Sequence, residues 1–143
     1  MTIAAILKDK GERIISVAPD MTVRDAVALL ATERIGAVPV LDRDGHVAGV
    51  FSERDVIYCV HAHGVAALDA VVADMMTTPA ISVPPDQPVI GALSLMTRRR
   101  IRHLPVVEGD RLAGFISIGD LVKHRIDRIE ADAAAMRDYI QSA

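Results

Sequence analysis

Ala48-Gly49-Val50-Phe51-Ser52-Glu53-Arg54-Asp55 returns 65 residues later as Ala113-Gly114-Phe115-Ile116-Ser117-Ile118-Gly119-Asp120, and this repetition decides the fold. Working outward, Ala37-Val38-Pro39-Val40-Leu41 returns as His103-Leu104-Pro105-Val106-Val107, and Ser16-Val17-Ala18-Pro19-Asp20 as Ser82-Val83-Pro84-Pro85-Asp86, both at an offset of 66. The offset drops by one across the Asp42 to Gly45 turn, as a single loop deletion would make it. Such a period is too long for a solenoid repeat and too short for two ordinary independent domains. Two half-domains sharing one core about a pseudo-twofold axis are expected: a first repeat over 1–72 with an N-terminal helix, a second over 73–143 with a C-terminal helix.

Each copy reads as extended segment, helix, strand, strand, helix. Thr22 is placed to cap a helix with apolar positions Val23, Ala26, Val27 and Leu30, a stripe repeated at Val89, Ala92, Leu93 and Met96. Asp44-Gly45 and Gly109-Asp110 are turn chemistry between apolar strands, which predicts two hairpins. Pro39 and Pro105 lack an N–H and belong where a ladder bond is left unmade. Met1 to Gly11 reads as a short helix with a glycine stop, and Val65 to Ala73 as another. After Val122, residues Ile126, Ile129, Ala133, Met136 and Ile140 share one side of a long helix. That stripe is read as packing on the chain's own body, with a partner-binding seam as the alternative.

The 143 residues are 51% hydrophobic and only 3% aromatic, so the core must be built from Val, Ile, Leu, Ala and Met, the usage of buried strands flanked by helices. The expected class is α/β (α+β). A net charge of −3 provides no field to draw the chain to nucleic acid or a membrane, so small molecules and proteins are the expected partners. The single Cys59 excludes an internal disulfide, and the Ile3 to Leu7 run is too short for a leader or a span, so the expected address is the cytoplasm.

At Ser52 and Ser117 a strand ends and a helix begins, leaving free N–H groups and a positive helix end as a seat for an anion. The carboxylates of Asp55 and Asp120, one turn on, could accept two hydrogen bonds from a ribose diol. Ser-x-x-Asp is equally a capping-box variant, and both readings stay open. Arg98-Arg99-Arg100-Ile101-Arg102-His103 concentrates positive charge in an acidic chain. Arg98 and Arg99 suit a helix C-terminus, whereas Arg102 and His103 enter a strand where a cation can meet phosphate. The first copy has Gly36 and Ala37 there, and Gly36 lets a flat ring approach the backbone. Arg54 either supplies a phosphate contact or is a solvated helix residue. His61 and His63 point to different sides and lack a third ligand, Cys59 has no base beside it, and no catalytic set emerges: the chain is expected not to be an enzyme.

Ser-Val-x-Pro-Asp, Ile-Gly-Ala-Val-Pro-Val with Ile-Arg-His-Leu-Pro-Val-Val, and Gly-x-x-Ser-x-x-Asp, in this order and twice, resemble the tandem cystathionine β-synthase (CBS) domain pair, or Bateman module, of the stand-alone bacterial type. The resemblance covers about Ile6 to Lys123. It implies two β-α-β-β-α units, two clefts, and adenosine-containing ligands: AMP, ADP, ATP, NAD(H) or S-adenosylmethionine. Carried over, Asp55 and Asp120 hold ribose hydroxyls, and Ser52 and Ser117 sit near phosphate. Adenine lies against Ser16 and Val17 with Gly36, Ala37, Val38 and Pro39 in one site, and against Ser82 and Val83 with Arg102, His103, Leu104 and Pro105 in the other. Ile118-Gly119 replaces Glu53-Arg54, so the second site must draw its anion contact from Arg102, His103 or Arg54 reaching across. The implied function is a homodimeric energy or redox sensor acting on a regulated protein. The alternatives are a ligand-free interaction scaffold that docks a partner through the C-terminal helix, and a nucleic-acid-binding module using Arg98 to His103, against which the acidic total and scarce aromatics count.

Overall fold

The helix and hairpin of each copy form where capping and turn chemistry direct them in the computed structural model, which describes residues 1–11 and 13–142. Helix α2 (Val23–Glu33) starts at Thr22, whose hydroxyl accepts the Asp25 N–H at 3.1 Å. It buries Val23, Ala26 and Leu30. Its counterpart α5 (Val89–Arg99), reached after α3 (Glu53–His63) and α4 (Val72–Met75), buries Val89, Ala92 and Met96 but follows Pro88, with no side-chain cap. Both helices stop at an arginine in the left-handed region, Arg34 and Arg100, each at φ 54°.

Strands β1 (Ala37–Leu41) and β2 (Val47–Ser52) pair antiparallel, as do β3 (His103–Glu108) and β4 (Arg111–Ser117). The first turn is held by Asp42, whose Oδ1 accepts N–H groups from Asp44 and His46 at 2.9 and 3.0 Å. Each hairpin gains one parallel bridge from the extended segment ahead of its helix, Val17 to Val40 and Val83 to Val106. The Val17 and Val83 N–H groups donate to the carbonyls of Pro39 and Pro105 at 3.1 and 3.0 Å. The pairing goes no further because the next bond would need the N–H that each proline lacks.

Helix α1 (Ile3–Lys10) precedes the first copy yet packs on the second: Ile3 and Ile6 are buried with Val83, Val89, Leu104, Ile116 and Leu121. The one-turn helix α4 (Val72–Met75) does the reverse, burying Val72 with Val17, Val23, Val38, Phe51 and Cys59. The hydrogen bonds match. Ile3 and Ala4 donate to Gln87 and Pro85 at 2.9 and 2.8 Å, while Val72 and Ala73 donate to the equivalent Met21 and Pro19 at 2.8 and 2.9 Å. The expected single shared core is therefore two clusters, each closed by the helix leading into the other copy.

Two further expectations need correction. The segment Val65 to Ala73 is not one helix but a 3-10 turn (Gly64–Asp69) and α4, because Val71 bridges to Thr22 and the Ala70 carbonyl accepts the Val23 N–H at 2.8 Å. The tail stripe does not pack on the body. Helix α3 (Glu53–His63) has a counterpart in α6 (Ile118–Ser142), which runs on past the body with Ile126, Ile129, Met136 and Ile140 exposed.

Candidate functional site

The capping reading of Ser-x-x-Asp holds in both copies. Ser52 N–H donates to Asp55 Oδ2 at 2.9 Å and Asp55 N–H to Ser52 Oγ at 3.3 Å; the Ser117 and Asp120 pair repeats this at 2.9 and 3.1 Å. Each carboxylate spends one oxygen on the box. Asp55 Oδ1 accepts the Thr77 hydroxyl at 2.8 Å, whereas Asp120 Oδ1 has no hydrogen-bond donor among the described residues. Lys10 Nζ lies 2.7 Å from Asp120 Oδ2 and donates also to the Phe115 carbonyl at 2.7 Å.

A hollow lies beside each carboxylate. The Asp55 cleft, about 220 Å³, is walled by Val50, Tyr58, Ile81 and Ile101, with Arg54, Arg102 and His103 supplying positive or titratable groups. The Asp120 cleft, about 400 Å³, is walled by Ile14, Ile15, Ile35 and Phe115, with Lys10, Arg13, Arg34 and His103. The two are equivalents: Ala80-Ile81 and Ile101 hold the positions, 66 residues on, of Ile14-Ile15 and Ile35. Each cleft thus joins the Ser-x-x-Asp of one copy to the extended segment of the other. The crossing also explains the glycine of Gly-x-x-Ser: a Cβ on Gly49 would meet the Thr77 carbonyl oxygen at 2.7 Å and Met76 Sδ at 2.8 Å, and one on Gly114 would meet Leu7.

Charge is concentrated where the copies touch. Arg102 pairs with Glu53 at 3.0 Å, and Arg54 donates to the Arg100 carbonyl at the end of α5 at 2.8 Å; it borders the Asp55 cleft and not the Asp120 one. His103 borders both clefts and stacks on Phe115 with ring centroids 5.7 Å apart. Burial, and then the Arg102 charge, hold the His103 imidazole below its ordinary pKa against the pull of Glu53. At Asp120 burial opposes ionisation, but the hydrogen bonds from Lys10 and Ser117 and the Lys10 charge outweigh it and hold the carboxyl below its ordinary range.

The structure regroups the residues expected to line the sites. Arg102 stands with Asp55 and not with Asp120, while His103, Gly36 and Ala37 border both clefts; Ser52 and Arg54 line the Asp55 cleft and Ser117 the Asp120 cleft. Val17, Val38, Pro39, Val83, Leu104 and Pro105 are buried in the sheets, and Ser16 and Ser82 are exposed; none of the eight lines either cleft. The Asp120 cleft draws cations from Lys10, Arg13 and Arg34 instead of Arg102 or Arg54. Lining residues outside the expected set include Lys10, Arg13, Ile14, Ile15, Arg34 and Ile35 beside Asp120, and Tyr58, Thr77, Ile81 and Ile101 beside Asp55. Aligning the repeats upstream of Ser16 and Ser82 would have paired Gly11–Ile15 with Thr77–Ile81.

A family model described as CBS domain matches the chain twice, over residues 10–62 and 72–127. The chain is 32% identical over 148 residues to the mitochondrial CBS domain-containing protein CBSX3 of Arabidopsis thaliana, spanning 98% of this chain and 72% of that protein. Its fold matches that of a CBS-domain containing protein, ATU1752, from Agrobacterium tumefaciens with a TM-score of 0.83 and 40% identity, over 87% of this chain and 92% of that one. It also matches the fold of the CBS domain pair of protein MJ0100, solved with 5-methylthioadenosine and S-adenosyl-L-methionine, with a TM-score of 0.78 and 20% identity, over 90% and 98%.

Proposed function

The chain belongs to the CBS-domain family, with two copies of the domain in tandem, and we propose that it is a regulatory sensor, not an enzyme, whose clefts bind an adenosine-containing ligand. AMP is the first choice and NAD(H) the second; ADP, ATP and S-adenosylmethionine share the same recognition chemistry. The observation that carries the reading is the doubled cleft, each with a carboxylate at a helix N-terminus, branched aliphatic walls and a rim of cations. Ile81 and Ile101, or Ile15 and Ile35, would sandwich an adenine ring. The Asp oxygen outside the capping box would accept the ribose diol, and the arginines, Lys10 and the helix end would meet phosphate. Because Oδ2 alone closes the box, capping and diol binding coexist.

The reading takes the protein to act in the cytoplasm as a homodimer on a regulated partner. Ligand biases that partner only if it fits one arrangement of the clefts better than another. His103, common to both clefts, would couple their occupancy.

Calorimetric titration with AMP, ATP, NADH and S-adenosylmethionine tests this. Asp55→Ala and Asp120→Ala should each weaken a bound nucleotide at least tenfold. Ser52→Ala and Ser117→Ala, which remove the cap hydroxyls but keep the carboxylates, should weaken it far less. Aspartate variants that bind every ligand like the parent would refute the assignment.

A further inference from the structure

We propose that the projecting part of α6 pairs with its counterpart in a second copy of the chain as a parallel, in-register two-stranded coiled coil. Val122, Ile126, Ile129, Ala133, Met136 and Ile140 are spaced by 4, 3, 4, 3 and 4 residues, the a/d seam of a 3.5-residue period. Leu121 is the last buried residue of the helix, and the seam beyond it is open: Ile126 is 49% exposed, Ile129 55%, Met136 60% and Ile140 65%. A lone helical arm of this length is marginal in water, and its apolar stripe has no cover among the described residues. The second family match ends at residue 127, so most of the seam is a property of this chain beyond the repeated domains.

Charge selects the occupant and its direction. With Ile126, Ala133 and Ile140 at a, the g positions hold Arg125 and Asp132 and the e positions five residues on hold Glu130 and Arg137. A parallel pair sets Arg125 against Glu130 of the partner subunit and Asp132 against Arg137 of the partner subunit, opposite signs at both. The antiparallel register that brings the same apolar residues together sets Glu130 against its own copy and Lys123 against Arg137 of the partner subunit, like signs at both. The dimer is therefore one with both bodies at the same end of the coil, whether or not the clefts take nucleotides.

Sedimentation equilibrium of the full chain tests this. The parent should dimerise; Glu130→Arg should weaken the dimer at least tenfold, and Arg125→Glu added to it should restore most of the loss. Ile129→Asp with Met136→Asp, both at exposed positions, should give a folded monomer by circular dichroism. Ile140→Cys should form a disulfide-linked dimer under mild oxidation, since the antiparallel register would hold the two residues about 27 Å apart. A monomeric parent, a dimer indifferent to Glu130→Arg and to the paired aspartates, or an Ile140→Cys that fails to cross-link would each overturn the proposal; a monomer would assign the seam to a different protein.

Discussion

Replacing Gly49 with alanine separates steric need from backbone freedom, because Gly49 and its equivalent Gly114 both lie outside the positive-φ region. At Gly49 the new methyl would sit 2.7 Å from the Thr77 carbonyl oxygen. Relief takes a shift of roughly 0.5 Å in a backbone held by two hydrogen bonds to Val50, at 2.9 and 3.0 Å. Losing or stretching that pair at about 1 kcal/mol each, with some overpacking against Met76, gives a cost of about 2–3 kcal/mol. In a chain of this size that lowers the melting temperature by roughly 5–10 °C. At Gly114 the obstacle is the Leu7 side chain, both methyls and Cγ, which packs on the second core but can yield more readily than the backbone at Thr77. The cost there should be smaller, about 1 kcal/mol of overpacking, offset in part by the lower entropy of the unfolded alanine chain. Urea titrations followed by far-ultraviolet circular dichroism would measure both. A Gly49→Ala protein no less stable than Gly114→Ala would refute the claim that the segment before Pro79 is what demands glycine.

His103 is held below the ordinary histidine value of 6.5, so on acidification the unfolded chain takes up a proton before the folded one does. Stability should fall as pH drops through about 6.5 and level off below the folded pKa, and His103→Gln should flatten that slope in urea midpoints read from pH 8 to 5. Lys10→Met should cost about 0.5–1 kcal/mol at pH 7, the range of a partly exposed ion pair. Because Asp120 is held below 3.8, its contribution is present above that value and is lost as pH falls through the folded pKa. The gap between parent and Lys10→Met should therefore persist down to pH 5 and close only when the urea midpoints are carried below pH 3.8.

The elements were legible because their causes are local: the stripes at Val23 to Leu30 and Val89 to Met96, the Thr22 cap, and the turns at Gly45 and Gly109. The Ser-x-x-Asp boxes were legible for the same reason, since three residues are enough to close them. What the sequence hid was long-range. Nothing in Ile3, Ile6 or Leu7 states which of two similar apolar faces they will cover, and without that the sequence does not say which carboxylate Arg102 faces. Lys10 and Thr77 carry no local signal, because each acts on an aspartate far along the chain, 110 and 22 residues away. The tail stripe was visible as a stripe, but periodicity is blind to whether the body curves round to meet it.

The exchange of α1 and α4 between the copies bears on how such a chain can arise and change. One repeat expressed alone would leave its own hairpin uncovered and its leading helix without the face it packs on. Inheritance of a binding preference then follows no gene segment: a pocket transplanted as one repeat would arrive with half its wall left behind.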